Sequence, residues 1–375
     1  MNKKIQKTII IIFFAIIFIL SGCLVFNHDK VLSQSENRIL AQFPEMSTKT
    51  IMSGEFMQGF ETFVNDQITG RDWFVQLSTR IKLVMGQKDI NGVYIQDDKL
   101  YSKTDNLTEE QYAKIDKSVA QLVTFLSNNK NAYFGIIPTA IDISGIEYPN
   151  KLNQQQLIDN IYSQLPEEQT INFYETLFAH KEENIYYHTD HHWTTLGAYY
   201  GYTTLGKKLN FTIPDVDTYT VEILKDDFSG TTQAKLNIPI AIDTIEKWYL
   251  DINTQYHRIV NDSVESDNLY DMEKLSSSEP YAVFLGGNNG KVVVRNNSIT
   301  EDKQGTKLLV IKDSYSHCLT PFLLEQYEEV TLLDLRYAGV VAVQTLINKE
   351  QYDNILVIYN TDNFITETKL PLLNK

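Results

Sequence analysis

Cysteine is nearly absent from this sequence. Its 375 residues hold only Cys23 and Cys318, and Cys23 sits in or at an apolar N-terminal run, so no intrachain bridge is available to the folded part. That part must be held by its core, and a chain of this length can bury a sizeable one. Basic charge is also short. Lys and Arg number 33 against 48 Asp and Glu, a formal net charge of −15. Nucleic acid and anionic membrane surfaces need clustered Lys and Arg to displace counterions, so both are excluded as expected ligands. Internal repeats and low-complexity tracts are missing, and only one long hydrophobic run exists.

That run is at the N-terminus. Lys3, Lys4 and Lys7 precede an unbroken apolar stretch from Thr8 to Leu20, extended by Leu24, Val25 and Phe26. Lysine ahead of the run places the N-terminus inside and the remainder outside. Residues 1–26 are thus read as a signal-anchor or as a lipoprotein signal, since Leu20-Ser21-Gly22-Cys23 has the form of a lipobox in which Cys23 is lipidated. Either way the expected location is the cell membrane, with the functional domain extracellular.

Residues 27–90 read as a stalk followed by a helical region. The polar stretch from Asn27 to Met52 contains Ser33-Gln34-Ser35-Glu36-Asn37-Arg38 and Phe43-Pro44. Phe56, Phe60 and Phe63 or Val64, then Trp73, Leu77, Ile81 and Val84 or Met85 on a second face, recur at helical spacing and are expected to face a core. Residues 91–375 read as the main α/β domain. Thr108 to Gln111 fits a capping box before a helix bearing Ile115, Val119, Leu122 and Leu126. Short apolar strands follow at Ala132 to Ile137, Ala282 to Leu285, Val292 to Val294, Leu308 to Ile311, Val330 to Leu335 and Ile355 to Tyr359. Helices are expected at Leu157 to Leu165, Leu196 to Leu209, Pro321 to Gln326 and Ala342 to Asn348. Strands alternating with helices predict a parallel sheet covered on both faces. Residues from about 211 to 278 show no dominant period and are read as an irregular excursion.

The densest chemistry lies at Tyr186-Tyr187-His188-Thr189-Asp190-His191-His192-Trp193, which holds three of the seven histidines. It is read as a strand end running into a helix capped by Thr194 or Thr195. In a parallel sheet the loops at strand carboxyl ends share one crevice. Lys312-Asp313-Ser314 and Tyr359-Asn360 stand at such ends as well. A serine between a buried strand and a helix has backbone N–H groups beside it for an oxyanion, and it needs an imidazole oriented by a carboxylate. Alternation along an extended segment would point Asp190 and His192 one way and His191 the other. Blander readings stand beside these: Ser314 as a capping serine, His192 as a buried histidine bonded to backbone, His188 and His191 as structural. Cys318 reads as a buried small residue one turn past the serine. A metal bound by His188, Asp190, His191 and His192 is the competing chemistry, though no distant ligand pair completes it; neither metal nor cofactor is expected.

Asp190-His191-His192-Trp193, Gly286-Gly287-Asn288, Lys312-Asp313-Ser314-Tyr315, Pro321-Phe322-Leu323 and Asp334-Leu335-Arg336-Tyr337 together resemble the bacterial DHHW proteins, which are similar to the SGNH-hydrolase-like domains of alginate O-acetylation proteins. The resemblance runs from about Ser35 to Asn360. It implies an SGNH-hydrolase-like parallel sheet flanked by helices, with Ser314 as nucleophile, His192 as base and Asp190 as its orienter. Asn288, Gly287 and Asn360 become candidates for the oxyanion, and Arg336 for an anionic group on the substrate unless it pairs with Asp334. Lys312 stands where SGNH enzymes usually carry glycine and is expected to narrow the space beside the serine. The function implied is O-acetylation of a cell-envelope polysaccharide, with a membrane-bound O-acyltransferase supplying the acyl group. An esterase with the same triad, or a non-catalytic glycan-binding subunit, are the alternatives.

Overall fold

The computed structural model describes residues 3–26, 28–33, 36, 38–339 and 343–375. Asn27, Gln34, Ser35, Asn37 and Ala342, named above, lie outside the described residues. The chain divides into two compact units: residues 1–93 with 233–240, and residues 94–232 with 241–375.

In the first unit Lys3–Phe26 is one α-helix, and its residues Lys4–Leu24 are long and apolar enough to cross a membrane. Helices Glu55–Gln67 and Arg71–Val84 follow. Phe43 meets Phe56, Phe60 and Phe63 edge-on, with ring centroids 5.4 to 6.2 Å apart, so that face is covered as expected. The second face is not. Trp73 is 59% exposed, Val84 89%, and Leu77, Ile81 and Met85 are exposed too. The side that turns inward is polar: Thr79 donates to Leu236 O at 3.1 Å, and Asn237 bonds both Gln76 and Asp72. These bonds orient the helix against its apolar stripe, which periodicity cannot anticipate.

The second unit is built on an eight-stranded sheet. Its strands are β1 (Ala132–Ile137), β2 (Thr170–Asn172), β3 (Tyr256–Val260), β4 (Val264–Ser266), β5 (Lys291–Asn296), β6 (Lys307–Lys312), β7 (Glu329–Leu333) and β8 (Asn354–Asn360). Their spatial order is β4-β3-β5-β7-β6-β8-β1-β2. The five strands from β7 to β2 are parallel, as expected, and β5, β3 and β4 extend the sheet antiparallel. β6 and β8 are continuous apolar runs because both faces are covered. Leu308, Val310, Leu356 and Ile358 enter the core on one face. Leu309, Ile311, Ile355 and Val357 enter the core on the other, against Leu122 and Phe125 of helix α1 (Glu109–Asn128). The capping box of Thr108 and Gln111 opens α1.

Three expectations fail. Ala282 to Leu285 is no strand: Pro280–Val283 forms a 3-10 turn and Leu285, Gly286 and Gly287 follow with positive φ, a path an extended ladder does not tolerate. The excursion at 211–278 is structured. It supplies β3 and β4, joined through left-handed Asn261 and Asp262, and an antiparallel pair, Thr220–Phe228 with Asp243–Tyr249. Ile185 to Tyr187 joins no sheet strand; Tyr186 instead bridges Trp193 and closes a loop.

Candidate active site

The loop carrying Asp190 and His192 is pinned at its base. Thr194 N–H donates to Ile185 O at 3.0 Å and Tyr187 N–H to His192 O at 3.2 Å. Buried Asp243 accepts from the N–H groups of His188 and Thr189 at 2.9 and 2.7 Å, and from Thr189 Oγ1 at 2.6 Å. Within the loop the His192 N–H donates to Asp190 Oδ1 at 3.0 Å. This turn brings the carboxylate and the imidazole of residues 190 and 192 together, where strand alternation had been expected to do so. His191 is not turned away: its ring centroid lies 3.9 Å from that of His192.

Ser314 follows β6 after Asp313 and precedes helix α3 (Ser316–Leu323), with α2 being Thr195–Leu209. Ser314 Oγ lies 2.8 Å from His192 Nε2, and His192 Nδ1 lies 2.6 Å from Asp190 Oδ1. The other carboxylate oxygen accepts from Thr231 N–H at 2.8 Å and Thr231 Oγ1 at 2.9 Å. All three side chains of the chain are buried. Burial alone would raise the Asp190 carboxyl, yet His191, His192 and the Thr231 N–H more than reverse it and hold it well below the usual carboxylate range. The Tyr281 ring stacks on His192, centroids 3.8 Å apart. The turn at Ser314 is fixed by Asp313, whose carboxylate accepts from Tyr315 N–H, Asn360 N–H and Asn363 Nδ2 at 2.7 to 2.9 Å.

These groups open on a cavity of about 180 Å3 lined by Asp190, His192 and Ser314 together with Gly287, Asn288, Arg336 and His317. An imidazole bonded to a hydroxyl on one nitrogen and a carboxylate on the other can take the hydroxyl proton and keep the resulting charge compensated.

Residues 86–333 match the family model described as DHHW protein. The chain belongs to this family. Among solved structures it is similar to a DHHW family protein from Eubacterium siraeum DSM 15702, with 22% identity and a TM-score of 0.63 over 76% of this chain and 95% of that one. It is also similar to PatB1 of Bacillus cereus with a sulfonyl adduct, at 19% identity and a TM-score of 0.62 over 76% and 98%. At these identities the likeness is one of fold. A comparison with curated proteins by sequence finds no match.

In this DHHW protein the tryptophan of the motif is structural. Trp193 is fully buried, its Nε1 donates to Tyr315 O at 2.9 Å, and Gly197 and Gly201 of α2 let the helix lie against it. A Cβ on Gly201 would sit 2.8 Å from the indole ring. The motif and the serine segment are thus tied together beside the site, and the Tyr315 hydroxyl adds a bond to His191 O.

Not every candidate reaches the cavity. Asn360 does not line it; its amide donates to Ile137 O at 3.1 Å and its carbonyl caps helix α4 (Thr361–Thr366). Arg336 lines it while holding Asp334 through two bonds of 2.9 and 2.7 Å. Lys312 does not narrow the space beside Ser314. It is 1% exposed, and its ammonium lies 2.6 Å from His317 Nε2 and 3.5 Å from Asp334. Cys318 is buried as expected, its thiol pushed up to about 12 by burial. Thr231, Gly230, Tyr281 and His317 escaped the sequence reading, because each is brought in by chain geometry with no local motif to mark it.

The metal alternative contracts to Asp190, His191 and His192, whose donor atoms lie within 4.8 Å of one another. His188 is not in the group. Asp190 Oδ1 and His192 Nδ1 are 2.6 Å apart, too close for a cation between them, and His192 Nε2 faces the serine. This donor set fits a proton relay better than a coordination shell.

Proposed function

We propose that this protein is a serine O-acyltransferase that acetylates a polysaccharide of the cell envelope. The hydrogen-bonded chain Ser314–His192–Asp190 carries this reading. In it, His192 Nε2 takes the Ser314 proton as Oγ attacks the acyl carbonyl of a donor. The tetrahedral intermediate collapses, the donor's leaving group departs with the proton returned by His192, and an acyl-serine remains. A sugar hydroxyl then gives its proton to His192 and attacks the acyl carbon, and as this second intermediate collapses His192 returns the proton to Ser314 Oγ, which leaves as the free hydroxyl. Asp190 stays ionised throughout and holds the imidazole tautomer. Helix Lys3–Phe26 tethers the domain to the membrane with its lysines inside, and a membrane-bound O-acyltransferase delivers the acyl group from across it.

The same groups serve an esterase when water replaces the sugar, so acceptor choice separates the two readings. The test uses the full chain in detergent with a chromogenic acetyl ester, with and without envelope polysaccharide. Release that disappears in Ser314→Ala, an acetyl group trapped on Ser314 by mass spectrometry, and its transfer to the polysaccharide support the proposal. Release to water that added polysaccharide leaves unchanged makes the protein an esterase. A folded chain that forms no acyl-serine from any donor overturns both. PatB1 was seen with a sulfonyl adduct, which makes sulfonyl reagents the natural covalent probe here.

A further inference from the structure

His317 lies three residues past Ser314, lines the same cavity and is 2% exposed. Its Nε2 is 2.6 Å from the ammonium of Lys312. A lysine ammonium only donates, so Nε2 must accept. The ring is neutral, since burial and the charge on Lys312 hold its basicity far below that of a free histidine. A neutral imidazole that accepts at Nε2 carries its proton on Nδ1. That N–H has no hydrogen-bond partner among the described residues. Lys312 is itself held against Asp334, which is gripped by Arg336.

A donor without a protein partner, on a nearly buried ring that lines the cavity with the serine and is backed by a buried cation, has the properties an anion-stabilising group needs. Of the side-chain amides on the cavity wall, that of Asn363 is engaged on Asp313, and Asn288 lines the wall as an exposed residue, whereas His317 is buried. We propose that His317 Nδ1–H is an oxyanion donor of this site, taking the carbonyl oxygen of the acyl group as it becomes an alkoxide, and that Lys312 is the positioning residue that fixes its tautomer. This rests on the acyl-transfer reading above. It also accounts for a lysine where a glycine is usual: Lys312 acts from behind the site, through His317.

The experiment compares kcat and KM for acetyl-ester release by the full chain in detergent, for wild type and for His317→Ala, His317→Gln, His317→Asn and Lys312→Met. Thermal melting checks that each is folded. The amide nitrogen of asparagine falls where ring Nδ1 was, whereas that of glutamine falls where Nε2 was. Loss of one oxyanion donor lowers kcat by about a hundredfold, so His317→Ala and His317→Gln fall by that much with KM little changed. His317→Asn recovers most of the rate, and Lys312→Met loses rate because the tautomer is no longer pinned. An active wild type with His317→Ala at full kcat, or with the Asn and Gln variants equal, overturns the inference. A wild type with no Ser314-dependent release instead overturns the acyl-transfer reading, and the inference falls with it.

Discussion

Thr231 donates twice to one oxygen of Asp190, through its backbone N–H at 2.8 Å and its hydroxyl at 2.9 Å. The carboxylate that orients His192 is thereby held from a segment 41 residues further along the chain. Hydrogen bonds to a charged group contribute about 1.5–3 kcal/mol each. Thr231→Val keeps the backbone bond and removes the hydroxyl, so kcat for ester release is expected to drop about tenfold. Steady-state kinetics check this, and Thr231→Ser, which keeps the hydroxyl, is expected to stay near wild type.

Gly230 leaves no room for a side chain. A Cβ there would lie 2.3 Å from Asp190 Cβ and 2.7 Å from its Cα, so the loop itself must shift. Gly230→Ala is expected to cost about 1–3 kcal/mol of stability and to lose more activity than that alone explains. Melting temperature and kcat, measured together, separate the two effects.

Ser314 and His192 stand or fall as a unit. Ser314→Ala and His192→Ala are each expected to lower kcat by about 10⁴-fold or more, with the double variant no worse than either single one. A sulfonyl fluoride should label the wild type once and Ser314→Ala not at all, which intact-mass measurement reads directly.

Burial holds the Lys312 ammonium near 8 against 10.5 for the free side chain, with Asp334 and Asp313 pulling the other way. Between those values the unfolded chain binds the proton that the folded chain has released. Stability attributable to this residue therefore rises with pH from about 8 to 10.5 and is lowest below 8. Lys312→Met removes the titration, so any advantage it has over wild type at pH 7 is expected to shrink by pH 10. Urea midpoints of both proteins across that range test the sign; a constant difference contradicts it.

Chelator is expected to leave ester release unchanged, because Asp190 and His192 are bonded to each other and to Ser314 and Thr231. Loss of activity in EDTA, restored by zinc, would move the assignment to the coordination chemistry of Asp190, His191 and His192.

Much of the site was legible because its residues stand at places the chain must expose. Ser314 follows an unbroken apolar strand, and Asp190 and His192 crowd beside a buried tryptophan. The reason offered for the Asp190–His192 pair was nevertheless incorrect: a turn through the His192 N–H, not strand alternation, joins them. Thr231 is invisible because its segment reads as an excursion, and Tyr281 because it sits in a 3-10 turn whose apolar residues read as a strand. Trp73 and its neighbours fail in the opposite sense, a clear helical stripe that faces outward because Thr79 and Asn237 decide the rotation. Periodicity reports which residues share a face, and polar partners elsewhere can decide where that face looks.

The strand order has a consequence for biosynthesis. β1 is flanked by β8 and β2, and β6 by β7 and β8, so the strand ending at Asn360 joins the two halves of the parallel sheet. A chain emerging from its N-terminus holds β1 and β2 for more than half its length with no partner on the β8 side. Such long-range closure is slow and leaves unpaired edges open to other chains. Truncation before residue 354 should therefore yield aggregates rather than a smaller soluble domain, and the cell must keep the nascent chain apart from its neighbours until its last strand arrives.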